Sequence, residues 1–103
     1  MHKKVIRVIV NSVGMAQETG REVAIERLAA VIGECRKCPL WENTHHAVPG
    51  EGDARAGLML IGEAPGKQED LTGRPFVGRA GKFLEGLLAG IGLSRDEVFI
   101  ANI

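Results

Sequence analysis

The sequence predicts an α/β fold, and three observations carry the prediction. A short apolar run, Leu58-Met59-Leu60-Ile61, has the length and composition of a buried parallel strand. A second run, Val98-Phe99-Ile100, resumes that pattern near the carboxyl end. Between them Phe83, Leu84, Leu87, Leu88 and Ile91 recur at three- and four-residue spacing, marking an amphipathic helix closed by Gly90 or Gly92. The order helix, strand, helix, strand implies a right-handed parallel crossover and a layered sheet.

The other elements follow in chain order. Val5, Ile6, Val8, Ile9 and Val10 read as a weak strand or arm, and Asn11 to Gly20 as a polar link. From Arg21 to about Glu34 the apolar residues Ile25, Leu28, Ala29 and Ile32 share one helical face, which predicts a core-facing helix. That helix delivers Cys35 to a proline-containing corner, CRKCPLW, in which Trp41 packs beneath the cysteine pair. Glu42 to Ala56 carries only loop signals, and His45 and His46 read as solvated loop residues or phosphate neighbours. Ser94 and Glu97 have capping-box spacing for one short turn before the last strand. The chain ends on a strand, and two or three parallel strands cannot bury both faces of a sheet, so a fragment of a longer protein is expected.

Composition bounds the function classes. With 103 residues, 45% apolar and 25% charged, the chain makes one small globular domain rather than a disordered segment. Thirteen basic and thirteen acidic side chains cancel, so no global field draws it to nucleic acid, though a local cluster such as Arg74, Arg79 and Lys82 could meet phosphates. No apolar run approaches the roughly 18 residues of a membrane span, and the amino terminus is too short for a usual signal-peptide core. A cytoplasmic protein is expected.

Chemistry is concentrated after the Leu58 strand, where ligands of open α/β sheets are met. Gly62, Gly66, Gly73 and Gly78 punctuate this stretch with Pro65, Pro75, the acids Glu63, Glu69 and Asp70, and Phe76. GEAPGKQ departs from a nucleotide-phosphate loop, which stays the runner-up reading: its glycines are one residue too close, and Gln68 stands where a hydroxyl would hold magnesium. Cys35 and Cys38 form a single C-x-x-C, half of a metal or iron–sulfur site, a redox dithiol, or chance; its place at the end of a helix favours the half-site.

Read together, CRKCPL, VPGEGD (Val48–Asp53), LMLIGEAPGKQEDLTGRPFVGRAGKFLEGLL (Leu58–Leu88) and VFIANI (Val98–Ile103) resemble the amino-terminal half of an iron–sulfur-containing, family 4 uracil-DNA glycosylase. The resemblance covers about Ile25 to Ile103. It implies a three-layer α/β/α fold with a mostly parallel sheet, incomplete here, with residues 1–20 an amino-terminal extension and 21–103 the first part of one domain. It implies base excision repair of uracil-containing DNA by a monomer with no obligate protein partner and no membrane. Cys35 and Cys38 resemble the first two of four ligands to a [4Fe–4S] cluster in the full-length protein, a cluster expected to be absent from this fragment.

The same resemblance assigns Glu63 and Glu69 to the chemical step. It assigns Phe76 to stacking on the flipped base and Asn102 to reading it, while Gly62, Ala64 and Gly66 lie beside the base through backbone amides and lack of bulk. Hydrolysis of the N-glycosidic bond develops positive charge on the sugar and negative charge on uracil, so a carboxylate that orients water and donors for the base suit it. The family's histidine-containing motif is absent from this chain, so the fragment alone is expected to be inactive. The alternative is a non-catalytic ligand- or phosphate-binding α/β module.

Overall fold

The computed structural model describes residues 6–10 and 19–103. Val5 of the expected first strand, and the link from Asn11 to Glu18, lie outside the described residues. In order, the elements are β1 (Ile6–Val10), α1 (Thr19–Gly33), β2 (Glu51–Gly52), β3 (Leu58–Gly62), α2 (Lys67–Thr72), α3 (Arg79–Gly90) and β4 (Phe99–Asn102), with 3-10 turns at Pro39–Asn43 and Arg95–Glu97. The α/β class is what the sequence predicts. The β3–β4 crossover is parallel, as expected, while β1 joins β3 and β2 joins β4 antiparallel, giving a mixed sheet of order β1-β3-β4-β2.

Strand alternation sorts the core into two layers. Leu60 and Ile100 face each other in register, and with Val98 they pack against Phe76 and the α3 residues Leu84 and Leu88. Each such burial contributes about 1.5–3 kcal/mol. Met59, Phe99 and Ala101 point to the other side, where they and Ile25, Leu28, Ala29 and Ile32 of α1 line a cleft of about 460 Å³. The sheet therefore lies between α1 and α3. The predicted face of α1 is the one turned to the sheet, but it is not close-packed there: Leu28 is 57% exposed.

The apolar face of α3 is narrower than its sequence suggests. Only Leu84 and Leu88 are buried, whereas Phe83, Leu87 and Ile91 are exposed. One i, i+4 pair fills the groove over β3 and β4, and its neighbours fall a third of a turn away. Two elements read as loop are ordered: the six-residue α2 and the two-residue β2. The capping box at Ser94 and Glu97 is present as expected.

Candidate active site

The carboxyl ends of the two parallel strands bring three predicted residues together. Gly62 lies opposite Asn102 in the β3–β4 register, and the Ile103 N–H donates to the Gly62 carbonyl at 3.0 Å. A Cβ on Gly62 would collide with Asn102 Oδ1 and come within 2.8 Å of Cε2 and Cζ of Phe76. Glycine is what lets amide and ring edge meet at that point. Both Nδ2 and Oδ1 of Asn102 are buried without a hydrogen-bond partner among the described residues. Leaving such groups unpaired costs about 1–3 kcal/mol each, so a buried empty amide beside an aromatic edge points to a ligand that supplies the partners.

Phe76 departs from the expected open stacking ring. It is 1% exposed and belongs to the core cluster of Leu60, Leu84, Leu88, Val98 and Ile100. Those neighbours close over the ring, and its edge is what reaches Gly62. Its backbone is unusual too: φ is 51°, a left-handed conformation that costs a non-glycine residue about 1–2 kcal/mol. α3 comes so close behind it that a Cβ on Gly81 would collide with the Phe76 carbonyl.

The two acids differ sharply. Glu63 follows Gly62 and is exposed, and no hydrogen bond or ion pair engages it among the described residues. Glu69 is 3% exposed; its Oε1 accepts the Gly66 N–H at 2.8 Å, and its Oε2 accepts those of Val77 at 2.8 Å and Gly78 at 2.7 Å. Those bonds tie the start of α2 to the loop entering α3. They also take up the Gly66 amide of the GEAPGKQ loop and place a buried negative charge beside it, which argues against a phosphate there. Ala64 is exposed beside Glu63, and the Gly66 amide, expected beside the base, donates to Glu69 instead.

Asp70 fastens a different loop. Its Oδ1 accepts the His45 N–H at 2.8 Å and the His46 N–H at 3.4 Å, its Oδ2 pairs with His45 Nδ1 at 2.7 Å, and its carbonyl meets His46 Nδ1 at 2.8 Å. The His45 ring, then its N–H, hold the Asp70 carboxyl below the ordinary aspartate value. The histidines are thus partners of α2 rather than merely solvated loop residues. Cys35 and Cys38 are free, exposed thiols, and with Trp41, His45 and Asn102 they line one cleft of about 510 Å³. Trp41 does not pack beneath them: it is 41% exposed, with the Arg36 guanidinium 4.6 Å from its ring centre.

Sequence reasoning missed a third cluster. Glu51 takes two bonds from Arg74, at 2.9 and 2.8 Å, and one from Arg95 at 3.3 Å. The Arg74 bonds outweigh the burial that would raise the Glu51 carboxyl and hold it below its usual value, while Glu51 raises Arg74. Arg74 thus shares one edge of its guanidinium with a carboxylate while its side chain stays exposed. These partners lie 23 and 44 residues apart, a separation in which no spacing rule operates.

Residues 49–103 match the family model of the uracil DNA glycosylase superfamily. Over 80 residues the chain is 51% identical to the type-4 uracil-DNA glycosylase of Saccharolobus solfataricus, covering 77% of this chain and 37% of that protein. It is 43% identical over 83 residues to the type-4 uracil-DNA glycosylase of Thermotoga maritima, covering 81% of this chain and 43% of that one. A type-5 uracil-DNA glycosylase of Thermus thermophilus is 45% identical over 76 residues, 72% of this chain and 32% of its own. The chain thus spans about two fifths of the length of the type-4 relatives it matches. The family match begins just before β2 and takes in Gly62, Glu63, Glu69, Phe76 and Asn102; the chain belongs to the uracil DNA glycosylase superfamily.

Proposed function

We propose that this chain forms the amino-terminal part of a type-4 uracil-DNA glycosylase, and that Gly62, Phe76 and Asn102 bound its base site. The observation that carries the proposal is the buried, unpartnered amide of Asn102 beside the Phe76 edge. That amide donates from Nδ2 to uracil O4 and accepts the uracil N3–H at Oδ1, complementing the Watson–Crick edge of a base flipped out of the stack. Phe76 is the wall of the site. Glu63, the exposed acid at the mouth, orients the water: its carboxylate takes the water proton as oxygen bonds to C1′, and the C1′–N1 pair leaves on uracil. Glu69 holds the loop that surrounds this chemistry and does not touch it.

Cys35 and Cys38 suit half of a [4Fe–4S] site, being two exposed thiols spaced C-x-x-C at one cleft. No third metal-ligating residue joins them among the described residues. When bound, such a cluster supplies a structural cross-link between this corner and the segment carrying its other ligands. Among the described residues, no helix is long and apolar enough to cross a membrane.

The testing experiment is single-turnover excision from a uracil-containing oligonucleotide by the full-length protein and its Glu63→Gln variant. Excision by the parent with a loss of about 100-fold in the variant at unchanged DNA affinity is expected. A parent that leaves uracil in place contradicts the function, and a variant at the parental rate contradicts the role of Glu63.

A further inference from the structure

We infer that Arg95 is the positioning residue for Phe76, anchored in turn by Glu51. This rests on the reading of Phe76 as a wall of the base site. The guanidinium donates from Nη1 to the Phe76 carbonyl and from Nη2 to the Pro75 carbonyl, both at 2.6 Å. Two successive carbonyls can converge on one planar fork only if the chain turns sharply between them, and the left-handed φ of 51° at Phe76 makes that turn. The peptide joining Phe76 to Val77 is gripped at both ends: its oxygen by Arg95, its N–H by Glu69 Oε2 at 2.8 Å. That fixes the plane of the peptide, and with it the direction in which the ring leaves the backbone.

Arg95 is itself held. Its side chain is 13% exposed, with Glu51 Oε2 3.3 Å from Nη2 and Glu85 Oε1 3.7 Å from Nε. It stands in the 3-10 turn that leads into β4, the strand that carries Asn102. One short segment therefore presents the amide and, through Arg95, sets the ring opposite it. Strain held at a site by surrounding bonds is a known means of pre-organisation. Lysine keeps the charge at position 95 but has no fork to span two carbonyls and a carboxylate.

The test is a double-mutant cycle in the full-length protein: parent, Arg95→Lys, Phe76→Leu and the pair, each assayed for single-turnover uracil excision and for DNA affinity. Arg95→Lys is expected to lower excision about 10- to 100-fold with DNA affinity within about twofold. The double variant is expected to be no slower than Phe76→Leu alone, because Arg95 acts through that ring. A parental rate in Arg95→Lys, or losses that multiply in the double variant, overturns the inference. A parental rate in Phe76→Leu instead brings down the base-site reading, and this inference with it. Should Arg95→Lys unfold, Glu51→Gln leaves the fork in place and removes its anchoring charge. A smaller loss of excision is expected there, and a parental rate again overturns the assignment.

Discussion

Two neighbouring acids on α2, Glu69 and Asp70, fasten two loops of opposite character. The loop tied by Glu69 is buried and fixed at every turn: amides of Gly66, Val77 and Gly78 on the carboxylate, carbonyls of Pro75 and Phe76 on Arg95, Gly81 against the Phe76 carbonyl. The corner tied by Asp70 is exposed from Gly33 to Ala47 and held at His45 and His46, with both thiols open to solvent. The loop proposed to wall the base site is thus held by this chain's own bonds. The cysteine corner is held from one side, by the bonds of His45 and His46 to Asp70, and leaves its thiols in solvent.

The strongest way to break the comparison is Gly81→Ala in the full-length protein. A methyl group forced against the Phe76 carbonyl must push α3 off the loop, costing about 3 kcal/mol of stability, read as a shift in denaturant midpoint at constant slope. An unchanged midpoint would mean that the loop is not held by close packing.

Next comes the pair of acids. Glu69→Gln offers one acceptor oxygen where three N–H groups need two, so it should lower stability by about 2 kcal/mol. Glu63→Gln should change stability by less than about 0.5 kcal/mol while slowing excision. Reversed outcomes would exchange brace and chemical group.

The corner should respond separately. Cys35→Ser or Cys38→Ser should reduce iron and visible absorbance in the full-length protein while leaving amide exchange at Val77 and Gly78 unchanged. Loss of protection at those amides would show that the two loops are one unit.

The smallest effect concerns pH. The folded Asp70 carboxyl titrates below its unfolded value, so its contribution is present above the ordinary aspartate value of 3.8 and is lost as pH falls through the lowered folded one. Asp70→Asn should flatten stability against pH only on that acid side. Flattening near neutrality would assign the dependence to another group.

Much of this was legible in the sequence, for reasons that differ by residue. Leu58–Gly62 and Phe99–Asn102 are strands because their apolar runs are short and uninterrupted, and register alone then places Gly62 beside Asn102. The grouping of glycine, ring and amide came from the family resemblance, and the Phe76 ring reaches Gly62 by a loop path that no register places. Glu69 was legible as an important acid but not as a brace, since its amide partners at Val77 and Gly78 follow from a loop path that no periodicity encodes. Glu51 and Arg95 were invisible for the same reason, being joined only through the fold. Phe83 and Leu87 share the apolar spacing of Leu84 and Leu88 yet are exposed, because spacing identifies an apolar face but not how wide a groove receives it.

The central claim is that the empty amide of Asn102 reads uracil, and Asn102→Asp tests it most directly. A carboxylate there loses the Nδ2 donor to O4 and, being ionised, repels the uracil anion that leaves. The measurement is single-turnover excision of uracil, with cytosine as control, by the full-length Asn102→Asp protein. A loss of about 100-fold or more on uracil is expected, with DNA affinity nearly unchanged, consistent with the penalty for unpaired buried groups. Uracil removed at the parental rate, with cytosine still ignored, would contradict it and return Asn102 to the role of a strand terminus.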